Sequence, residues 1–182
     1  MQRADSPQGK WRNVVFFLTA LLVVAADQLS KTWIRSYSEN ELIFEAGFFR
    51  ITRIHNTGAA FGLFQDQSFS LTIVAFIGIV VVLLFVFLVS RRLPFLDTML
   101  GKLALGLVLG GTIGNLVDRL RFVFDSTAGN LVDRLNLGYV TDFIDIGIWP
   151  TFNIADSTVT VGVILFAYFL LSSTRAKKGL SA

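Results

Sequence analysis

Four apolar stretches, each long enough to cross about 30 Å of hydrocarbon as a helix, leave few folds open to this chain. They run roughly from Trp11 to Ala26, Phe69 to Val89, Met99 to Val117 and Ile154 to Leu171. Backbone inside a bilayer must pair its own N–H and C=O groups, and runs of this length without polar alternation select helices over barrel strands. With 53% hydrophobic residues, 18 phenylalanines and a mean hydropathy of +0.64 over 182 residues, the sequence is too apolar for a soluble domain of that size. The expected fold is mainly α, a polytopic membrane protein forming a single domain over residues 1–182. Its four transmembrane helices are expected at about 11–30, 69–90, 99–119 and 154–172.

The first stretch does not read as a cleaved leader. Ala25-Ala26 runs directly into Asp27-Gln28-Leu29-Ser30-Lys31, which continues the helical pattern without a cleavage turn. Basic residues set the orientation. Arg3, Lys10 and Arg12 precede helix one, Arg91, Arg92 and Lys102 lie between helices two and three, and Arg175, Lys177 and Lys178 follow helix four. These regions hold nine of the 16 Lys/Arg and two of the 13 acids, a charge of +7 against −4 elsewhere. Both termini are therefore expected on the cytoplasmic side. The overall +3 conceals this polarity and calls for no nucleic-acid partner.

On the outer side, Phe48-Phe-Arg-Ile-Thr-Arg-Ile-His has a period-2 tendency and is followed by the turn signal Asn56-Thr57-Gly58. A small β-platform over about 35–66 is expected between helices one and two. The next segment, Ala59-Ala60-Phe61-Gly62-Leu63-Phe64, suits either packing beneath a hairpin or a lipid-facing groove. Helix three carries Gly106, Gly110 and Gly114 at intervals of four, a stripe that lets a neighbouring helix approach closely. Asn115, Asp118 and Arg119 follow on similar faces of that helix end. Asp118 there has two readings, an ion pair with Arg119 or another arginine, or a direct role toward substrate.

An internal repeat complicates this region. Gly-Asn-Leu-Val-Asp-Arg-Leu occurs at 114–120 and again at 129–135, an offset of 15 residues that indicates a local tandem duplication. Two copies do not make a solenoid.

Zero cysteines exclude disulfides and thiolate ligands, and the single histidine, His55, builds no zinc site alone. No metal or cofactor is expected. What remains are two acids at the mouth of the fourth apolar run, Asp142 in Gly138-Tyr-Val-Thr-Asp-Phe-Ile and Asp156 in Phe152-Asn-Ile-Ala-Asp. Carboxylates at a bilayer boundary lose several kcal/mol of hydration unless paired or wetted, so they call for a functional reason. Bland alternatives exist: Asp156 as a first-turn acid on helix four, and Asp142 as a solvated loop acid like its neighbour Asp145.

Five motifs in order, with four spans, give the chain a resemblance that covers nearly its whole length. They are Asp27-Gln28-Leu29-Ser30-Lys31, Asn56-Thr57-Gly58-Ala59-Ala60-Phe61-Gly62, Gly110-Gly-Thr-Ile-Gly-Asn-Leu-Val-Asp-Arg, Val140-Thr-Asp-Phe-Ile, and Phe152-Asn-Ile-Ala-Asp-Ser. The chain resembles the lipoprotein signal peptidases (signal peptidase II) of bacteria. That resemblance implies a membrane aspartic peptidase without cofactor, with Asp142 and Asp156 as its catalytic pair. Site-shaping or substrate-binding positions would be Asp27, Asn56, Asn115, Asp118, Arg119 and Asn153. For three of these a local reading stays open: Asp27 pairing with Lys31, Asn56 serving a turn, and Asn153 capping helix four.

The substrate implied is a prolipoprotein whose cysteine already carries a diacylglyceryl group, cut on the amino side of that cysteine. The implied setting is the cytoplasmic (inner) membrane, with phospholipid around a monomer and the site toward the outer face. The duplication departs from the family pattern, because Asn130, Asp133 and Arg134 compete with Asn115, Asp118 and Arg119. The first copy is favoured because a membrane helix fixes its side chains, leaving Arg121 to Leu135 to bulge near the site entrance. Two readings of another class are a small proton-coupled transporter or channel subunit and a non-catalytic lipid-binding subunit.

Overall fold

The computed structural model describes residues 7–58, 64–89, 97–125 and 129–179. The apolar segment Ala59 to Leu63 and the basic residues Arg3, Arg91 and Arg92 lie outside the described residues. Helix α1 spans Pro7–Ile34, α2 spans Ser68–Leu84 and continues as a π-helical turn, Phe85–Val89, α3 spans Met99–Asp125 and α5 spans Ile154–Gly179. A short helix α4, Leu131–Asn136, lies between α3 and α5. All four long helices are long and apolar enough to cross a membrane.

Helix α3 is central, packed against α1, α5 and α2. The glycines make this possible. A Cβ on Gly106 would lie 2.8 Å from the Phe16 carbonyl oxygen, and one on Gly110 would lie 2.7 Å from that of Ala20. Both faces of α3 are used, because Gly111 meets Ala155 and Val159 of α5. Phe16 and Ala20 of α1, Leu105 and Leu109 of α3, and Val86 of the π-helical turn form the buried cluster. Thus α2 closes on the bundle at its C-terminal end. At its N-terminal end Leu71, Val74 and Ala75 instead line a cavity.

Strands β1 (Leu42–Ala46), β2 (Phe49–Asn56) and β3 (Val140–Asp145) form an antiparallel sheet in that order. The β1–β2 turn is made by Gly47 and Phe48, with Gly47 at φ 64°, where an L side chain is disfavoured. The platform foreseen between helices one and two thus gains a third strand from the other side of α3. Ile54 pairs with Asp142, His55 with Thr141 and Asn56 with Val140. Asp142, one of whose readings was a loop acid, is therefore a buried strand residue.

Candidate functional site

Asp142 and Asp156 are 14 residues apart, and a second backbone connection closes the chain between them. Phe152 bridges Ile144: the Phe152 N–H donates to the Ile144 carbonyl at 3.0 Å, and the Phe152 carbonyl accepts the Ile144 N–H at 2.8 Å. Gly147, at φ 76°, turns this loop and donates its N–H to Asp145 Oδ1 at 2.7 Å, while Asp145 also pairs with Arg50 at 2.7 Å. Asp145 is therefore occupied as a turn and sheet-edge acid. Directly after the bridge comes Asn153, the residue before α5.

Asn153 and Asp156 form a capping box. The Asp156 N–H donates to Asn153 Oδ1 at 2.9 Å, and the Asn153 N–H donates to Asp156 Oδ2 at 3.3 Å. Because a backbone N–H only donates, the Asn153 oxygen is assigned to it, which turns the amide NH₂ outward. That NH₂ donates to Asp142 Oδ1 at 2.6 Å and to Asn115 Oδ1 at 3.1 Å. Asn56 is fixed the same way. Its Oδ1 accepts the Gly58 N–H at 2.9 Å and its Nδ2 donates to Asp142 Oδ2 at 2.8 Å. Asn115 donates to Asp156 Oδ1 at 2.7 Å and accepts from Lys31 Nζ at 2.9 Å. One network of amides thus holds both carboxyl groups.

Asp142 is 1% exposed. Burial, then the negative charge of Asp156, push its pKa up to about 7, against the opposing effect of the Asn56 and Asn153 hydrogen bonds. Beside the pair lies a cavity of about 370 Å³. Asn56, Asn115, Arg119 and Asp156 give it a polar end, and Leu71, Val74 and Val159 an apolar wall. Arg119 is held by Ser68 Oγ at 2.8 Å and the Gly58 carbonyl at 2.7 Å, which ties α3 to the start of α2 and to the end of β2.

Asp27 and Asp118 stand behind this layer. Asp27 pairs with Lys31 at 2.9 Å and accepts the Ala155 N–H at 3.0 Å, so α1 holds the first turn of α5. Asp118 pairs with Arg35 at 2.5 Å and Lys31 at 3.2 Å and accepts the Thr141 N–H at 2.9 Å. Its arginine partner is Arg35, not the adjacent Arg119. Lys31, Arg35 and Gln28 were not singled out as site residues from the sequence. Their helical spacing on α1 was the available signal, with Lys31 and Arg35 four apart on the face of Asp27.

The two repeat copies behave differently. All three polar residues of the first copy join the network around the carboxyl pair. In the second, Asn130 caps α4 by accepting the Val132 and Asp133 N–H groups at 2.9 and 3.1 Å, with Asp133 completing the box. Arg134 donates to the Val123 carbonyl at 3.3 Å.

Comparison with known proteins agrees along most of the chain. Residues 19–172 match the profile of the family described as signal peptidase (SPase) II. A lipoprotein signal peptidase of Dehalococcoides mccartyi is 44% identical over 166 residues, which cover 91% of this chain and 94% of that protein. One from Moorella thermoacetica is 42% identical over 158 residues, covering 86% and 92%. A bacterial membrane enzyme solved by the in meso method at 2.3 Å resolution matches with a TM-score of 0.72 at 30% identity, over 89% of this chain and 90% of that one. Profile, identity and fold converge without leaving room for a transporter: the chain belongs to the signal peptidase II family and is a multi-pass bacterial membrane peptidase.

Proposed function

We propose that the chain is an aspartic endopeptidase that removes signal peptides from diacylglyceryl-modified prolipoproteins, cutting on the amino side of the lipidated cysteine. Asp142 and Asp156 are its acid and base. The relatives, named lipoprotein signal peptidases, supply the substrate class. The observation that carries the chemistry is the joint tethering of the two carboxyl groups, through Asn153 and Asn115, with Asp156 at the polar end of a cavity with an apolar wall and Asp142 buried behind it.

Two carboxyl groups held by one network titrate as a pair and share a proton. With its pKa pushed up to about 7, Asp142 holds that proton below neutral pH and still carries it in about half of the molecules at pH 7. Asp156 then takes a proton from water as the water oxygen attacks the scissile carbonyl carbon. Asp142 donates its hydrogen bond to the carbonyl oxygen. Collapse of the tetrahedral intermediate breaks the C–N bond, and the proton held on the pair passes to the leaving amine. No covalent enzyme intermediate or cofactor is needed. The signal helix and acyl chains lie against the apolar wall, so the substrate's lipid part stays in the bilayer.

The six flanking residues have separable roles in this proposal. Asn56 and Asn153 orient Asp142, and Asn115 orients Asp156. Asp27 and Asp118 fix Lys31 and so the side chain of Asn115. Arg119 presents a guanidinium to the cavity, where substrate backbone carbonyls would lie.

The test is cleavage of a diacylated precursor in detergent by wild type, Asp142→Asn and Asp156→Asn. Each variant is expected to lose at least about 10³-fold in kcat/KM. Full activity in either one would overturn the assignment.

A further inference from the structure

Strand β2 presents two faces to the molecule. Ile54 and Asn56 lie on the side of Asp142, which pairs with Ile54 across the ladder and is held by the Asn56 amide. Arg53 and His55 lie on the other side, because successive side chains of a strand alternate. The single histidine of the chain thus sits back to back with an amide that orients the proposed acid. Its ladder partner is Thr141, the neighbour of Asp142. Its ring stacks on Tyr139 with centroids 3.7 Å apart, and Tyr139 packs on Phe122 of α3 at 4.7 Å.

Arg53 fastens this face of β2 to the end of α1. Its Nη1 donates to the carbonyls of Arg35 and Tyr37, and its Nη2 lies 3.1 Å from His55 Nε2. Its Nε is buried with no acceptor among the described residues, so the ring fixes the other branch of the fork. A guanidinium only donates. His55 Nε2 is therefore the acceptor, and the imidazole proton sits on Nδ1, which meets Glu39 Oε1 at 3.0 Å. The contact with Arg53 exists only while the ring is neutral. A proton on Nε2 sets N–H against N–H and cation against cation, and Arg53 cannot give up a proton of its own. Glu39 gains from the same proton, but its side chain is 51% exposed, and water screens such a pair. The other charged groups packed around the ring are Arg35 at the end of α1 and Asp118 and Arg121 of α3, which line one cavity with Arg53 and Tyr139. Asp118 is paired with Arg35 at 2.5 Å. Burial lowers the His55 pKa from 6.5, Glu39 raises it, and Arg53 and Arg35 lower it again.

We propose that His55 is a proton-sensitive positioning residue: neutral, it accepts from Arg53 and locks the end of α1 to β2; protonated, it ejects Arg53 and slackens the strand that carries Asn56 to Asp142. The consequence for cleavage rests on the carboxyl-pair reading, whereas the release of Arg53 does not. Protonation of His55 adds a component to the acid limb of turnover, beside the one that the carboxyl pair itself supplies.

The test begins with the ring, which is seen alone by nitrogen NMR of the full chain labelled at histidine in an uncharged detergent. The neutral ring is expected as the Nδ1–H tautomer, titrating with a midpoint below 6.5. The Nε2–H tautomer, or a midpoint at 6.5 or above, overturns the proposal. His55→Gln supplies the comparison, because its amide oxygen accepts from Arg53 at every pH. A folded midpoint below the unfolded one makes the stability from the neutral ring complete above 6.5 and lost as pH falls from there through the folded midpoint. The wild-type melting temperature is therefore expected to drop relative to His55→Gln as pH falls from about 7.5 to about 5, the Asp142 contribution cancelling between the two. In precursor cleavage, wild-type kcat relative to His55→Gln is expected to fall about twofold at the NMR midpoint of the ring, where half of the rings are charged. A melting gap or a kcat ratio that stays constant across this range overturns the proposal. The NMR and melting arms need no catalysis, so a failed peptidase reading is told apart from a failed switch.

Discussion

Asn115 and Asn130 hold the same place in identical heptapeptides, and their neighbourhoods give them different work. The first faces Lys31, Asn153 and Asp156 from inside a long helix. The second satisfies two N–H groups at the start of a six-residue helix. Asn115→Ala is therefore expected to lower precursor cleavage by about 100-fold or more, since it frees the base and cuts its link to Lys31 and Asn153. Asn130→Ala is expected to cost about 1 kcal/mol of stability with turnover retained. Cleavage assays and detergent melting on both variants decide it, and a larger turnover loss at Asn130 would reverse the choice of copy. Asp142 supplies a pH argument. Its folded carboxyl holds a proton up to about 7, whereas an unfolded one releases it near 3.8. The stability this contributes is complete below 3.8 and is lost as pH rises through about 7. Activity should fall across the same upper limit, because the proposed acid is then gone. Asp142→Asn, neutral throughout, should gain in melting temperature relative to wild type between pH 4 and pH 8. A gap that stays constant, or a flat alkaline limb of the pH–rate profile, would contradict the protonated role of Asp142. These residue-level facts were only partly readable beforehand. The motif positions came through a family resemblance, but the Lys31–Asn115–Asp156 chain depends on contacts 41 and 84 residues apart, which no local pattern reports.

The helices were legible because hydrocarbon forces every backbone group to pair within its own segment, so length and apolarity suffice. The glycine stripe was legible too, as close approach demands the absence of a Cβ. It yields a paired prediction. Gly110→Ala would bring a Cβ to 2.7 Å from both the Ala20 carbonyl oxygen and Val23 Cβ, whereas Gly78 of α2 has nothing within 4 Å of its virtual Cβ. Gly110→Ala is expected to lower stability by about 1–3 kcal/mol, since helix backbones must part. Gly78→Ala should be neutral or raise it by up to about 1 kcal/mol through helix propensity. Thermal melting of the two variants side by side checks this, and equal shifts would remove the stripe from the packing argument. Strand β3 was harder to foresee. Its six residues are Val-Thr-Asp-Phe-Ile-Asp, which do not form an amphipathic alternation, and its partner β2 lies on the far side of two transmembrane helices in sequence. Only tertiary pairing makes it a strand.

At the scale of the molecule, charge and structure divide the bundle into two ends. One end carries Arg12 and Lys102 around Asp97, at 2.7 and 3.5 Å, which joins the start of α1 to the start of α3. The other carries the sheet and the carboxyl pair, with Phe48 78% exposed at the sheet turn. Lys10 and Arg12 lie in the first turns of α1, Lys102 in the first turn of α3 and Arg175, Lys177 and Lys178 in the last turns of α5, and translocating such charges is opposed, so the first end is expected in the cytoplasm. The absence of cysteine makes this directly measurable, because any introduced thiol is the sole one. Phe48→Cys lies at the sheet turn, and Met99→Cys opens α3, where the native side chain is exposed. A membrane-impermeant maleimide added to intact spheroplasts is expected to label Phe48→Cys and to reach Met99→Cys only after the membrane is ruptured. Opposite labelling would invert the orientation and place the peptidase site in the cytoplasm. A lipidated precursor would then have to present its scissile bond on the inner face, and the substrate assignment would have to be abandoned along with the topology.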